Sequence, residues 1–310
     1  MGEKTYDVLA VGDLNVDLIM SGMPRMPEWG TEVLAEGMDL RLGGSTANFA
    51  CACAALGRRT ALVAVVGEDA FGDLLMSELE SAGVDGRYVG RAKDVPTGLT
   101  VVLSGREDRA FVTALGAVNF LRAENVSAEA IASARHVHVG GYYLQAGLRE
   151  GMDWLITAAK AAGATVSLDP GYDPSEAWDG GLVDLIAKVD VFLPNEVEAR
   201  ALSGQQDIER AAGVLSRGET MVVVKLGCDG ACAHDGKRFV TEAGYQVDVA
   251  DTTACGDAFN AGFMHGWLDG KPVEDCLRLG NAAGALMATV TGNDAKVLDP
   301  ARIAAMAERR

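Results

Sequence analysis

The chain has 310 residues, with 27 lysines and arginines against 44 aspartates and glutamates, and its formal net charge is −17 at pH 7. So acidic a surface repels nucleic-acid phosphates and anionic lipid, which argues against both as partners. No apolar run approaches the roughly 18 residues of a membrane span, and the six cysteines lack the paired spacing of a zinc site, so we expect a cytoplasmic protein with free thiols.

Strand-like and helix-like segments alternate along most of the chain. The predicted strands lie at 6–11, 61–67, 136–139, 165–168, 189–193, 221–226 and 245–249, and the clearest helices lie at 72–82, 151–162 and 276–290. This alternation predicts an α/β fold with a mainly parallel central sheet that helices cover on both faces. His136 and His138 alternate within one strand, and we expect both in the core.

Additional β-type segments interrupt the alternation in two regions. Residues 14–21 and 31–42 resemble strands near the start, and 97–103 and 109–115 predict a hairpin joined by S-G-R-E-D. We predict a small sheet separate from the core. The expected division is a core of 1–12, 43–96 and 116–310 and a second unit of 13–42 and 97–115.

Two polar patterns lie early in the chain. Asn15 and Asp17 share one face of a predicted strand, where both can hydrogen-bond vicinal hydroxyls. Gly43 and Gly44 allow the backbone to approach a ligand and place Asn48 in the first turn of the next helix. We predict that these five residues hold a small polyhydroxylated substrate. Polar alternation on a solvated strand and a plain turn are the alternatives.

The segment D-T-T-A-C-G-D follows an apolar alternation and opens a helix-like run. The first N–H groups of a helix have no internal partner and attract anions. We therefore predict that the amides of Ala254, Cys255 and Gly256 hold a phosphate while Asp257 takes a proton from a hydroxyl. The alternative is that Asp257 only caps the helix.

Two further motifs follow predicted buried strands. N-x-x-E places Asn195 and Glu198 on one helix face, and Mg²⁺ prefers such oxygen ligands, although a helix cap with an exposed glutamate also fits. K-x-G-x-x-G starts at Lys225, and its glycines, Gly227 and Gly230, permit close approach. The sequence contains no G-x-x-x-x-G-K-[ST] pattern, which excludes a P-loop kinase.

The motifs that begin at Gly43 and Asp251 resemble the two signatures of the ribokinase family of carbohydrate kinases, the PfkB-type kinases. The second signature is usually written D-T-x-G-A-G-D, so Ala254 and Cys255 depart from it. If the first of these positions has positive φ, alanine costs about 1 kcal/mol or more there, and if it is helical, alanine is harmless. Cys255 is either a small filler or a thiol whose pKa the helix terminus lowers.

The resemblance implies a ribokinase-like three-layer α/β/α fold with a β-sheet lid over the substrate site. It also implies an ATP-dependent kinase that phosphorylates a hydroxymethyl group of a small sugar, with Asp257 as the base. Glu198 would handle Mg²⁺ through water, together with Asn195. Homodimerisation through the lid is common in the family.

The resemblance further implies a nucleotide site and a cation site. Lys225 and its two glycines would lie along ATP, and Asn281 would lie beside the adenine. Asp251 and Thr253 match a monovalent-cation site of several members, which would make K⁺ an activator.

The residues leave the acceptor open. Ribokinases tend to carry a carboxylate where this chain has Tyr142 and Tyr143, which stack as well as hydrogen-bond. Ribose, fructose and keto-deoxy sugars are the candidates, with a nucleoside kinase of adenosine, inosine or cytidine type as the alternative. A non-catalytic sugar-binding regulator would lack the catalytic residues, yet Asp257, Glu198 and Gly256 are all present.

Overall fold

A computed structural model describes residues 4–105 and 109–308 of the protein. The strands in these ranges are β1 (Tyr6–Val11), β2 (Asn15–Met23), β3 (Gly37–Gly43), β4 (Thr60–Gly67), β5 (Asp85–Ala92), β6 (Leu99–Gly105), β7 (Arg109–Ala114), β8 (Ala134–Val139), β9 (Thr165–Leu168), β10 (Val191–Phe192), β11 (Met221–Lys225), β12 (Ala231–His234) and β13 (Phe239–Glu242). The helices are α1 (Ser45–Ala55), α2 (Ala70–Ser81), α3 (Ala128–Ser133), α4 (Ala146–Arg149), α5 (Met152–Ala161), α6 (Leu182–Ile186), α7 (Glu196–Ser203), α8 (Ile208–Leu215), α9 (Cys255–Leu268), α10 (Val273–Met287) and α11 (Pro300–Ala307).

The central sheet has the strand order β13-β12-β11-β10-β9-β8-β1-β4-β5. All neighbours from β11 to β5 pair in parallel, whereas β12 and β13 are antiparallel additions at one edge. Parallel strands need crossover connections, which here carry helices to the two faces of the sheet. The predicted three-layer α/β/α fold with a mainly parallel sheet is confirmed.

Strand β1 lies in the middle of the core and is apolar on both faces. Val8 and Ala10 belong to the apolar cluster that contains α1, α9 and α10, whereas Leu9 and Val11 belong to the cluster that contains α5. A strand covered on both sides reads as a continuous apolar run. This explains why residues 8–11 form a continuous apolar run.

Four strands form a second sheet, which we call the small sheet, in the order β3-β2-β6-β7. β2 pairs antiparallel with β3 and parallel with β6, and β6 pairs antiparallel with β7. The predicted separate sheet is confirmed. The predicted hairpin turn at 104–108 falls largely on 106–108, which lie outside the described residues.

Two predicted strands are wrong in extent or in kind. The strand expected at 31–42 begins only at Gly37, because Thr31 closes a turn with Glu28 through backbone and side-chain hydrogen bonds. The segment 245–249 is not a strand. It follows the edge strand β13, and among the described residues no further strand pairs beyond that edge.

His136 and His138 are core residues, as predicted. His136 bonds to Thr165 Oγ1 at 2.8 Å and to Ser167 Oγ at 2.7 Å, and His138 bonds to the same Ser167 hydroxyl at 2.7 Å. Burial lowers the pKa of both imidazoles to about 3. Both rings are therefore neutral at physiological pH.

In the described ranges, none of the helices has the length and apolar character that crossing a membrane requires.

Candidate active site

The carboxyl ends of four parallel strands meet at one edge of the central sheet. Asp13 follows β1, Asp169 follows β9, Asn195 follows β10, and Lys225 ends β11. α9 faces the same edge, because its Asn260 donates a hydrogen bond to Asp169 at 2.6 Å. In open parallel sheets, ligands bind beyond the carboxyl ends of the strands.

A cavity of about 930 Å³ lies between this edge and the small sheet. Residues of both sheets line it, and many of the predicted site residues are among them. Those are Asn15, Asp17, Gly44, Asn48, Thr253, Ala254 and Asp257. The structure thus brings most of the predicted substrate-binding and catalytic residues around one space, whereas Gly43, Cys255 and Gly256 do not line it.

Asn15 and Asp17 project from β2 on the same face. Asn15 Nδ2 donates to Asp17 Oδ1 at 2.9 Å and to Thr100 Oγ1 of β6 at 3.2 Å. Burial raises the pKa of Asp17 to about 7, and the bond from Asn15 opposes that shift. The pair offers a carboxylate and an amide to neighbouring hydroxyls.

The double glycine is required by the protein's own packing rather than by a ligand alone. A Cβ on Gly43 would lie 2.2 Å from the carboxylate carbon of Asp17. Gly44 has φ of 96°, and its Cβ would lie 2.7 Å from the carbonyl oxygen of Asp13. The protein's own packing therefore requires glycine at both positions, and Gly44 also lines the cavity.

Asp13 is a residue that the sequence reasoning missed. Its carboxylate accepts hydrogen bonds from the backbone N–H groups of Ser45 at 2.8 Å and Thr46 at 3.0 Å. It therefore caps the start of α1 from the end of β1 and lines the cavity. Its position directly after an apolar strand, beside the N-x-D pattern, was the signal available in the sequence.

Asp257 lies in the first turn of α9 and faces the cavity. Asn48 Nδ2 lies 3.3 Å from its carboxylate, and Asn293 donates in turn to Asn48 Oδ1 at 2.6 Å. Burial and the charge of Asp169 raise the pKa of Asp257 well above its usual value, while Lys225 and Asn48 oppose the shift. A raised pKa suits a group that must accept a proton near neutral pH.

The residues before Asp257 form the N-terminal turn of α9. Ala254 has φ of 57°, in the left-handed region that favours glycine. Cys255 has a pKa raised by burial to about 12, so the helix terminus does not activate its thiol, and the small-filler interpretation applies. Gly256 follows without positive φ.

Lys225, at the end of β11, points inward to a buried carboxylate. Its ammonium bonds to Asp169 Oδ2 at 2.6 Å and Asn260 Oδ1 at 3.3 Å, and only 13% of its side chain is exposed. The buried Asp169 carboxylate thus holds the ammonium beneath α9.

Asn195 and Glu198 form a reciprocal cap at the start of α7. Asn195 Oδ1 accepts from the Glu198 N–H at 2.9 Å, and the Glu198 carboxylate accepts from the Asn195 N–H at 2.7 Å and from its Nδ2 at 2.8 Å. Glu198 is buried rather than exposed, and its pKa is raised to about 7 by burial and by Asp169.

The turn after β11 packs closely on the end of β13. Gly227 has φ of 62° and Gly230 has φ of 102°, and a Cβ on Gly230 would lie 2.2 Å from the Glu242 carbonyl. Asn281 donates to the carbonyls of Glu242 at 3.0 Å and Ala243 at 3.2 Å. The protein's own packing therefore requires glycine at position 230.

Asp251 organises the loop before α9. Its carboxylate accepts from the Thr253 N–H at 2.9 Å, the Thr253 hydroxyl at 2.8 Å and the Gly292 N–H at 2.9 Å. Arg109, at the start of β7, lies 3.4 Å from Asp251 and donates to the Thr252 hydroxyl at 2.5 Å. The small sheet is therefore tied to the same loop that leads into α9.

Tyr142 and Tyr143 are buried and do not line the cavity. Tyr142 donates its hydroxyl to the Gly180 carbonyl at 2.6 Å. The stacking surface expected from these tyrosines is corrected, since Leu144 and Tyr172 occupy the cavity wall instead.

Comparison with known proteins agrees with this geometry. A sequence model described as "pfkB family carbohydrate kinase" matches residues 6–299. The chain is 33% identical over 282 residues to an ATP-dependent ribose-1-phosphate kinase of Halopiger xanaduensis, covering 91% of each chain. It is 33% identical over 265 residues to a 2-dehydro-3-deoxygluconokinase of Bacillus subtilis, covering 81% of this chain and 82% of that one.

Among solved structures, a putative ribokinase II from E. coli in complex with ATP and Mg²⁺ superimposes with a TM-score of 0.86 at 25% identity. The match covers 98% of this chain and 100% of that one. The resemblance inferred from the two signatures is confirmed. The chain belongs to the PfkB family of carbohydrate kinases.

Proposed function

We propose that this kinase transfers the γ-phosphoryl group of ATP to a hydroxymethyl group of a small sugar. The observation that carries the proposal is the convergence of Asp257, at the N-terminal turn of α9, with Asn15 and Asp17 on one cavity. In such a site, Asn15 and Asp17 would bind the acceptor and Asp257 would be the base.

In this proposal, Asp257 accepts the proton of the sugar hydroxyl as the hydroxyl oxygen attacks the γ-phosphorus in line. The backbone amides of 254–257 stabilise the charge on the transferring group, since they point at the anion and need no reorganisation. Asn15, Asp17 and Asn48 orient the sugar, and ADP leaves. A positioned base contributes about 10²- to 10⁴-fold to such a step.

Mg²⁺ fits the residues near Glu198. Each carboxylate oxygen of Glu198 accepts one hydrogen bond from Asn195, which leaves lone pairs for metal-bound water. Mg²⁺ usually keeps several waters and is bound by few protein groups together with substrate phosphates. When bound, it would neutralise charge on the phosphates. Gly227, Gly230 and Asn281 would border the nucleotide.

K⁺ fits less well. The three hydrogen bonds to Asp251 and the nearby guanidinium of Arg109 already balance its carboxylate. We therefore propose that Asp251 and Thr253 fix the loop before α9 and that turnover is similar in K⁺ and Na⁺ salts.

A nucleoside acceptor is the second candidate, and the lining and volume of the cavity are the observations that support it. Phe111, Leu144 and Tyr172 add an apolar and aromatic wall to the polar end that contains Asp17. A volume of about 930 Å³ is at the upper end of the range of pockets for drug-sized ligands. A base could stack on the aromatic wall while its ribose meets Asn15 and Asp17.

A screen of ATP turnover with Mg²⁺ tests the proposal, using ribose, fructose, 2-keto-3-deoxygluconate, sugar phosphates, adenosine, inosine and cytidine, each in K⁺ and in Na⁺. Turnover with a sugar well above the blank supports the first candidate, and turnover only with a nucleoside supports the second. Asp257→Asn serves as the inactive control. A flat panel with ATP binding retained would support a regulator instead.

We further propose a homodimer through the small sheet in the cytoplasm. Large apolar side chains are exposed around β3, including Trp29, Leu34 and Met38. The six cysteines are all unpaired, which agrees with a reducing compartment. Sedimentation analysis of the wild type and of the double variant Trp29→Lys/Met38→Lys tests this interface. If both proteins are monomers, the proposed dimer is contradicted.

A further inference from the structure

Asn293 lies in the loop between α10 and α11 and contacts the asparagine that approaches the proposed base. Its Nδ2 donates to Asn48 Oδ1 at 2.6 Å, and Asn48 Nδ2 lies 3.3 Å from the Asp257 carboxylate. We infer that Asn293 is a positioning residue, which acts through Asn48 to hold Asp257 in the ionised form that accepts a proton. The inference rests on the proposed function and adds a residue that belongs to neither signature.

The direction of these hydrogen bonds is fixed at a backbone carbonyl. Asn293 Nδ2 also donates to the carbonyl oxygen of Leu42, near the end of β3. A carbonyl oxygen can only accept a hydrogen bond, so a reversed Asn293 amide would set two oxygens against each other. The two N–H groups of the Asn293 side chain are therefore directed to Leu42 and Asn48.

The same reasoning fixes the orientation of the Asn48 amide. Its oxygen accepts from Asn293, so its Nδ2 side faces Asp257. An ionised carboxylate only accepts hydrogen bonds, whereas a protonated carboxyl group can also donate one. An Asn48 amide that could rotate would be able to turn its oxygen towards a protonated Asp257. The bond from Asn293 opposes that rotation, which favours the ionised form of Asp257.

The loop that carries Asn293 is held at the preceding residue as well. Gly292 donates its N–H to Asp251 Oδ2 at 2.9 Å. The other oxygen of Asp251 accepts from the N–H group of Thr253 at 2.9 Å and from its hydroxyl at 2.8 Å, just before α9. Adjacent residues of one loop thus contact the segment that leads into α9 and the first turn of α1. These contacts fix the position from which Asn293 reaches Asn48.

The surroundings of Asp257 explain why one donor matters. The ionisable groups that face it are Asp13 after β1, Asp169 after β9, Lys225 at the end of β11 and the Cys255 thiol of its own helix. Burial is the largest cause that raises the pKa of Asp257, followed by the charge of Asp169. Lys225 lowers this pKa through its charge, whereas Asn48 lowers it through a hydrogen bond. The direction of that hydrogen bond depends on Asn293.

The test compares the pH dependence of kcat/KM in the wild type, Asn48→Ala, Asn293→Ala and the double variant. We expect the acidic limb of Asn293→Ala to move to higher pH by about 0.5 to 1 unit, since a hydrogen bond to a charged group contributes on that scale. The double variant should have the same acidic limb as Asn48→Ala, because Asn293 acts through Asn48.

The matched control is Asp294→Ala, at the next residue of the same loop. The Asp294 side chain accepts from the Lys296 N–H at 3.1 Å, so the change loosens the loop at an exposed position. We expect its acidic limb to match that of the wild type. An equal shift in Asp294→Ala, an unchanged limb in Asn293→Ala, or shifts that add in the double variant would overturn the inference.

A second variant covers the case in which Asn293→Ala does not fold. Asn293→Asp keeps the size of the side chain but has only acceptors when ionised. Its acidic limb should also move to higher pH, and an unchanged limb there would overturn the inference.

A measurement without turnover separates this inference from the proposed function. If the wild type phosphorylates no acceptor of the panel, the proposed function fails. NMR titration of isotope-labelled aspartate, with the Asp257 signal assigned from Asp257→Asn, still measures the pKa of Asp257 in the wild type and in Asn293→Ala. A higher pKa in the variant would support the role of Asn293, and equal values would overturn it.

Discussion

Asn48 Nδ2 lies 3.3 Å from the carboxylate of Asp257, although 209 positions separate the two residues in the chain. Asn293 donates to Asn48 Oδ1, which fixes the orientation of the amide and leaves its N–H groups for Asp257. A hydrogen bond to the charged form of a carboxyl lowers its pKa. The asparagine of the first signature thus contacts the aspartate of the second, which we propose as the catalytic base.

Replacing Asn48 with alanine should shift the acidic limb of the kcat/KM profile to higher pH. Burial already raises the pKa of Asp257, and the Asn48 bond opposes that shift, so its loss raises the pKa further. Because the base must be ionised, activity falls as the pH drops through this pKa. The pH dependence of turnover measures the shift. Asn119→Ala, at an exposed asparagine, is the control, and an unchanged limb would contradict the role of Asn48.

Replacing Asp257 with asparagine should abolish most activity yet stabilise the protein at neutral and alkaline pH. Loss of the base lowers kcat by about 10²- to 10⁴-fold. The raised pKa means that the folded wild type holds its proton where the unfolded chain has lost it, so wild-type stability falls as pH rises through this window. Urea unfolding at pH 5 and pH 8 should show a larger advantage for the variant at pH 8.

The matched control for this stability effect is Asp179→Asn, at an exposed aspartate. We expect a change in the free energy of unfolding within about 0.5 kcal/mol there. A variant Asp257→Asn that is equally destabilised at both pH values would mean that Asp257 has a structural rather than a catalytic role.

Replacing Ala254 with glycine should stabilise the protein by about 1 kcal/mol. Ala254 has φ of 57°, where the Cβ of an L-residue is strained and glycine is not. The control is Ala304→Gly, on the exposed face of α11. This change should lower the free energy of unfolding, since glycine destabilises a helix interior by about 1 kcal/mol. Chemical denaturation measures both, and a destabilised Ala254→Gly variant would rule out the strain.

Replacing Gly256 with alanine should leave the fold intact and remove activity. The methyl group meets no atom closer than 3.8 Å, and alanine favours the helix by up to about 1 kcal/mol. In the proposed function the amides of this turn hold the phosphate, and we expect a methyl group beside them to displace it, so kcat/KM should fall at least about 100-fold. Gly213→Ala, at a helical glycine of α8 with comparable room, should fold and turn over normally. Full activity in Gly256→Ala would refute the phosphate position.

Cys255 should resist alkylation and oxidation at neutral pH. Burial raises the pKa of its thiol to about 12, and the thiolate is the reactive form. Iodoacetamide should instead label the exposed Cys228. Mass spectrometry of the labelled peptides measures the ratio, with Cys228→Ser as the control. Rapid modification of Cys255 would show that the helix terminus activates it after all.

The fold and most of the residues that line the cavity could be predicted from the sequence, because both depend on short-range sequence patterns. Strand period and helix period identified the layers, and the two signatures identified Asn48 and Asp257. The hydrogen-bond and ion-pair partners of the site side chains could not be predicted in the same way. Lys225 turned inward because of Asp169, a residue 56 positions earlier, and a single sequence carries no signal for such a pairing.

The errors have a similar origin. The segment 245–249 alternates like a strand, yet it lies past the sheet edge and has no described strand to pair with. Tyr142 and Tyr143 follow a strand at the site edge, yet their rings pack into the core. In both cases the local sequence pattern was compatible with the prediction, but strand pairing and core packing with distant parts of the chain decided the structure.

The small sheet enters the chain as two insertions, with β2 and β3 between β1 and α1, and β6 and β7 between β5 and the rest of the core. Asn15, Asp17 and Phe111 are on these insertions, while Asp257 and Lys225 are on the central layers. In the proposed function, part of acceptor recognition therefore comes from two inserted stretches of chain, while the proposed base lies on the central layers. We expect that exchanging these two insertions between relatives changes acceptor preference while leaving the proposed base in place.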